Sequence, residues 1–223
     1  MASTRSPLRL AHGWTLVRGL SLSAALVREF IRPAVRAVPS SLARRLGSYR
    51  ISLPAEVATG VASQWTIADD GLEVTVTTAG IEEHDVAMEL LLCLGQGLWE
   101  RLADGELRAY WMLLCDEIST GIEGEIDEQA LEEKRSLFES RSHANNVKGL
   151  ARYGLASFAG TAAEYVHCLW HEVTVRTGPD DLPVAPLRRR LELMAQWFPP
   201  NRGFRLFPAA LRRAGPSLPP RAC

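Results

Sequence analysis

The sequence predicts a single α+β domain, in which a β-hairpin or small sheet packs on a mostly helical body behind a basic amphipathic leader. The stretch Leu72 to Thr78 alternates apolar and polar residues with the period of a strand. The chain after Gly80 shows helical spacing instead. Residues 1–50 carry nine arginines and one glutamate, which sets the beginning of the chain apart. We therefore expect a leader over 1–40, one domain over 41–210 and a disordered, proline-rich tail over 211–223.

The leader has the pattern of a basic amphipathic helix. Arg28, Arg32 and Arg36 recur at every fourth residue, and Pro33 is expected to kink or restart the helix. Such a helix can lie on an anionic membrane surface or pack on an acidic part of the same protein, and the sequence favours packing. Because no run of about 20 uncharged apolar residues exists, we expect a cytoplasmic protein, with membrane association through residues 1–40 left open.

Charge is partitioned along the chain, although the formal net charge is only −1. Residues 82–140 hold sixteen acids and four bases, whereas residues 141–223 hold twelve bases and five acids. Basic ends and an acidic middle attract each other within a fold or a dimer. This balance argues against nucleic-acid binding and leaves an unknown protein partner open. The four cysteines form no C-x-x-C pair, so neither a disulfide framework nor a cysteine zinc site is expected.

The elements are predicted in order. Residues 50–53 form a short strand, and residues 64–67 and 72–78 form the two arms of the hairpin. Helices are predicted over the ranges 82–103, 106–119, 127–138, 147–175 and 185–198. The helix from residue 82 is apolar nearly all round, which predicts a central position in the domain. The acids around the glycine-containing loop after the helix 106–119 are expected to be solvated, because their spacing does not match an EF-hand: Glu117, Glu123, Glu125, Asp127 and Glu128.

The segment 164–172, Glu-Tyr-Val-His-Cys-Leu-Trp-His-Glu, is the most informative part of the chain. On a helix, Glu164, His167 and His171 fall within an arc of roughly 60°. Imidazoles at i and i+4 can bind one metal ion, and a Glu-x-x-His pair can supply two ligands. Since Glu164 and His171 are roughly 10 Å apart along the axis, one ion needs a further ligand from elsewhere. The alternative is an amphipathic, half-buried helix with no metal.

The string His84-Asp85-Val86-Ala87-Met88, on a helix directly after the hairpin, resembles the H-E-x-x-H motif of the zincin metallopeptidases. The resemblance extends to Ala156–Tyr165, which is similar to the Ser/Thr-rich approach to the family's third ligand, a glutamate. It implies zinc bound by His84 and Glu164, with Asp85 as the base. Asp replaces the motif's Glu, and Met88 replaces its second histidine, so the resemblance implies a degenerate site.

Three functions follow as expectations. The first is a non-catalytic, zincin-like binding or scaffold protein with no cofactor. The second is a metal-dependent hydrolase, in which zinc is bound by His84, His167 and either Glu164 or His171, with Asp85 or Glu172 as the base. The third is a peripheral membrane or partner adaptor that works through the leader.

Overall fold

A computed structural model describes residues 6–17, 22–56, 61–68, 71–139, 147–171 and 178–206. The strands are β1 (Leu8–Arg9), β2 (Thr15–Val17), β3 (Ser48–Ser52), β4 (Ser63–Ala68) and β5 (Gly71–Val76). The α-helices are α1 (Arg32–Ala37), α2 (Ser40–Leu46), α3 (Glu83–Trp99), α4 (Asp104–Ser119), α5 (Glu128–Glu139), α6 (Val147–Trp170) and α7 (Val184–Trp197). The α+β class is confirmed. No helix among the described residues is long and apolar enough to cross a membrane.

The five strands form one mixed sheet in the order β1-β2-β3-β5-β4. Strands β2, β3 and β5 run parallel, while β4 pairs antiparallel with β5 at the edge. The predicted hairpin is confirmed, with Ile67 opposite Leu72. Along β5 the alternation works as expected, since Leu72, Val74 and Val76 are buried and Glu73 is exposed. The end of β5 therefore leads directly towards α3.

The segment that the sequence sets apart as a leader contributes to this sheet where the structure describes it. Strands β1 and β2 both lie within residues 1–40, and β2 pairs with β3. Leu16 and Ile31 are fully buried in the same core as the rest of the chain. A π-helical turn, Leu26–Ile31, precedes α1, and Pro33 lies in the first turn of α1. The core therefore contains residues from both sides of position 40. The predicted tail, 211–223, lies outside the described residues.

Helices α3 and α6 form the centre of the helical body. The central position predicted for α3 is confirmed, because both its middle and its end are buried. Gly95 allows the close approach: a Cβ there would lie 2.7 Å from the Cα of Ala159 on α6. Since contacts below 3.0 Å are almost never seen for a Cβ, any larger residue would push the two helices apart. This contact sets the spacing between the two helices that carry the predicted histidines.

A buried ion network, defined by Arg190, Lys134, Glu117 and Glu125, joins α4, α5 and α7. All four side chains are at most 1% exposed. Arg190 donates to Glu117 Oε2 at 2.5 Å and to Glu125 Oε2 at 2.7 Å, and Lys134 donates to Glu125 Oε1 at 3.2 Å. The expectation that the acids of this region are solvated is therefore wrong for Glu117 and Glu125, because each meets a buried cation.

Candidate functional site

Packing of α3 against α6 brings His84 and His167 into direct contact. His84 lies in the first turn of α3, and His167 lies near the end of α6. Their Nε2 atoms are 3.3 Å apart, and their ring centroids are separated by 5.2 Å. His167 is buried, whereas the side chain of His84 is 34% exposed. The pair therefore lies at the boundary between the core and the solvent.

Each of the two imidazoles also meets a carboxylate through its other nitrogen. Nδ1 of His167 is 3.3 Å from Glu164 Oε2, one helical turn earlier on α6. Nδ1 of His84 is 3.2 Å from Oδ1 of Asp85, the next residue on α3. An ionised carboxylate only accepts hydrogen bonds, so Nδ1 must be the donor in both contacts. The carboxylates therefore favour the ring proton on Nδ1 of both histidines, and in that tautomer each Nε2 presents a lone pair.

His171 completes a cluster of three imidazoles, named here the histidine cluster: His84, His167 and His171. The His171 ring is stacked 5.3 Å from the ring of His167 and lies 5.7 Å from the ring of His84, measured between centroids. Its position follows from α6, because the His171 backbone N–H donates to the His167 carbonyl at 2.9 Å. Trp170 and Phe30 pack against the rings of His84 and His167, whereas His171 is exposed.

Cys168 takes no part in the histidine cluster. Its thiol donates to Glu164 Oε1 at 3.3 Å, so Glu164 accepts from both Cys168 and His167. Burial, and then the neighbouring Glu164 carboxylate, raise the pKa of the Cys168 thiol. Because the thiolate is the reactive form, a thiol held in this state is a poor nucleophile. Its contact instead fixes the orientation of Glu164.

A cavity of 610 Å³ opens beside His84 and is named here the acidic cavity. Met88 and Gly160 form part of its wall. Six carboxylates line it: Glu82, Asp85, Glu89, Asp127, Glu128 and Glu164. Its volume is in the range of small-molecule sites. No local pattern in the sequence connects Glu89 and Asp127 with this site, because α3 and the start of α5 meet only in the folded chain.

The structure brings together most of the side chains that the sequence singled out. His84, Asp85, Glu164, His167 and His171 lie around one point at the ends of α3 and α6. Glu172 lies outside the described residues. Within the part of the chain that the structure describes, no group of three or more His, Cys, Asp or Glu side chains is placed to hold a metal ion. The Nε2 atoms of His84 and His167 are the two potential metal ligands that already lie close together.

Comparison with family models, with curated proteins and with solved structures finds no match for this chain.

Proposed function

We propose that this chain is a zincin-like metal-binding protein, in which the histidine cluster replaces the H-E-x-x-H motif. The order of elements supports the resemblance: β5 leads to a helix that begins with His84, and a later helix carrying Glu164 packs against it. The observation that carries the proposal is the contact between the two Nε2 atoms, 3.3 Å apart, while both Nδ1 atoms meet carboxylates.

A cation between the two rings would account for that contact. With Nδ1 protonated on both histidines, two lone pairs face each other across 3.3 Å, which is repulsive. A proton shared between the rings or a metal ion bound by both would remove the repulsion. Carboxylates on the outer nitrogen of an imidazole are also the usual support of a metal-binding histidine, because they fix its tautomer and increase its basicity.

The donor set fits a divalent transition metal such as Zn²⁺. Two imidazole nitrogens on one tetrahedral zinc ion stand about 3.4 Å apart, since each Zn–N bond is about 2.0–2.1 Å. His84 and His167 already meet this spacing. His171 would supply a third nitrogen after rotation of its ring out of the stack on His167. Met88, in the position of the family's second histidine, is a poor ligand for zinc. His167 would therefore take the place of that second histidine.

Binding without peptide hydrolysis is the form of this function that we favour. A bound zinc ion would act as a Lewis acid towards a ligand in the acidic cavity. The chain's own residues hold the site: Glu164 and Asp85 orient the two rings, and Trp170 and Phe30 shield them. Asp85 is engaged with His84, and its shorter side chain takes the place of the family's glutamate base. These two features argue against efficient peptidase chemistry.

A metal-dependent hydrolase is the second candidate, and the acidic cavity favours it. The cavity has room for a substrate directly beside His84, and Asp85 lies on its wall. An exposed carboxylate next to a metal ligand can act as a general base. In this reading Asp85→Asn would abolish hydrolysis of a generic peptide or ester and leave zinc binding in place. Retained hydrolysis in that variant would exclude Asp85 as the base.

Elemental analysis of the purified full chain tests the proposal. We expect about one zinc ion per chain after incubation and dialysis, and a zinc-dependent rise in the melting temperature, because a ligand of the native state stabilises it. His167→Ala and His84→Ala should lose both. His12→Asn is the matched control: it removes an imidazole outside the cluster, and Asn tolerates the positive φ of 60° at that position.

The proposal would be wrong if the parent bound no zinc, or if His12→Asn reduced zinc binding as much as His167→Ala did. In the first case a shared proton satisfies the two Nε2 atoms, and the metal-free binding or scaffold function expected from the degenerate motif takes its place.

A further inference from the structure

A second cavity, of 590 Å³, lies at the N-terminal helices and is unrelated to the carboxylates of the acidic cavity. It is named here the arginine cavity. Arg28, Arg32 and Arg36, the stripe that the sequence predicts, all line it. Its remaining wall is mostly apolar: Leu10, Ala11, Pro33, Leu169, Trp170, Gly203 and Phe204. The cavity thus combines three positive charges with an apolar, partly aromatic surface.

The three arginines of this wall are exposed and have few ion-pair partners within the described residues. Arg28 forms an ion pair with Glu29 at 2.5 Å, but both side chains are more than half exposed, and such pairs contribute little. Arg32 and Arg36 have no ion-pair partner within the described residues. Residues four apart on a helix have neighbouring side chains, so two adjacent guanidinium groups can reach one anion. The rim therefore favours an anion with several acceptor oxygens.

Trp170, which lines the same cavity, has an unsatisfied donor. Its Nε1 atom is buried and has no hydrogen-bond partner in the described structure. A buried donor without an acceptor costs free energy, so a ligand oxygen reached by a small shift of the indole ring would be favoured. The ring itself supplies a flat apolar surface, next to Leu169 and Phe204. The cavity therefore suits a ligand with a charged end and an apolar or aromatic body.

We infer that the arginine cavity binds a phosphate monoester attached to an apolar or aromatic body. A phosphate monoester carries a charge of about −1.5 to −2 at pH 7 and three acceptor oxygens, so it can engage two guanidinium groups at once. A carboxylate, with one charge, would leave more of the arginine charge unmatched. The cavity volume lies within the range of small-molecule sites. The same chemistry occurs in a free small molecule and in the headgroup of a phosphate-bearing lipid.

Calorimetric titration of the full chain with phenyl phosphate tests the inference. We expect saturable binding that weakens about tenfold in Arg32→Gln and in Arg36→Gln, since each loses a charge-assisted hydrogen bond. Trp170→Phe keeps the aromatic surface but removes the indole donor, and should weaken binding by less. Arg108→Gln is the matched control, because Arg108 is an exposed arginine on α4 that is not part of this wall.

Two further measurements distinguish a free phosphate monoester from the headgroup of a phosphate-bearing lipid. Inorganic phosphate should bind more weakly than phenyl phosphate, and equal affinity would contradict a role for the apolar wall. Vesicles of equal parts phosphatidylcholine and phosphatidic acid test the lipid source by sedimentation. Binding to these vesicles that is lost in Arg32→Gln would support the inference and assign the phosphate to a lipid headgroup.

Three results would overturn the inference. The first is the absence of saturable binding to both phenyl phosphate and the vesicles. The second is an equal loss in Arg108→Gln and Arg32→Gln, which would indicate a general charge effect. The third is phenyl phosphate binding that is unchanged in both Arg32→Gln and Arg36→Gln, which would place the ligand outside the arginine cavity. Because the arginine cavity needs no metal, failure of zinc binding leaves this inference standing.

Discussion

The buried ion network and the histidine cluster both join helices through polar side chains, but they differ in how completely those side chains are satisfied. In the network, two cations meet two carboxylates, and Tyr153 and Ser157 also contact Glu125. In the cluster, the Nε2 atoms of His84 and His167 face each other at 3.3 Å, and no carboxylate among the described residues forms a hydrogen bond with either of these atoms. A complete set of partners indicates a structural role, whereas an incomplete set at a solvent boundary indicates a site for a further ion or ligand.

Removal of Arg190 should give the largest difference in stability between a change in the network and a change in the cluster. Arg190→Met keeps much of the side-chain volume but leaves Glu117 and Glu125 buried with too little positive charge. We expect a loss of about 3–5 kcal/mol in the free energy of unfolding, measured by urea denaturation. Arg189→Met is the control, because Arg189 pairs with Asp116 at the surface and should contribute less than about 1 kcal/mol. Similar losses in both variants would contradict a structural role for the network.

Acid should weaken the network before pH 2 is reached. Burial raises the pKa of Glu125, but Arg190 and then Lys134 outweigh burial and lower it from 4.5 to about 2. Because the folded-state pKa is below the unfolded one, the stabilisation is fully present above about pH 4.5 and is lost as the pH falls towards 2. The loss is on the order of 3 kcal/mol. Urea denaturation at several pH values measures it, and Glu125→Gln should flatten the dependence.

Tyr153→Phe tests how much the neutral partners add to the network. The Tyr153 hydroxyl donates to Glu125 Oε1 at 2.6 Å, and its loss removes a hydrogen bond to a buried charge. We expect a loss of about 2 kcal/mol. Tyr165→Phe is the matched control, since the Tyr165 hydroxyl donates to an uncharged acceptor, the Phe198 carbonyl, and should cost about 1 kcal/mol. The reverse order would mean that the charge of Glu125 adds nothing to the bond.

The smallest change in the free energy of unfolding is expected for a substitution in the histidine cluster of the metal-free protein. His84→Gln replaces a side chain that is already 34% exposed, so few buried contacts are lost. We expect a change of less than about 1 kcal/mol in the free energy of unfolding, measured in the presence of a chelator. A loss as large as that of Arg190→Met would show that the cluster is a structural element like the network.

Local patterns predicted the elements of this fold well, because they depend on neighbouring residues. The hairpin and α3 to α7 all lie close to their predicted ranges, and the Asp127 side chain accepts from the backbone N–H groups of Gln129 and Ala130, as an N-cap does. The short strands β1 and β2 were not predicted, since two or three residues carry no measurable alternation. The place of β2 in the sheet is set by pairing with β3, more than 30 residues later, and β1 pairs with β2.

The two polar regions were predicted unequally for a physical reason. The histidine cluster was indicated by spacing on one helix and by a motif at the start of another. The buried ion network joins residues 65 and 73 positions apart, which no local pattern connects. A usable signal did exist: Arg190 occupies the apolar stripe of α7 between Leu187 and Met194, and Lys134 occupies that of α5. A basic residue on an apolar helix face indicates a buried anion.

The strand order also bears on how the chain folds. β4 ends at Ala68 and β5 begins at Gly71, so this hairpin can form from contacts that are local in sequence, within microseconds. β3 pairs with β5 across that hairpin, and β2 pairs with β3 across the whole segment of α1 and α2. These parallel pairings require the closure of longer loops and are expected to form later. Residues 8–17, although first in the chain, would therefore be among the last to be held in the native sheet.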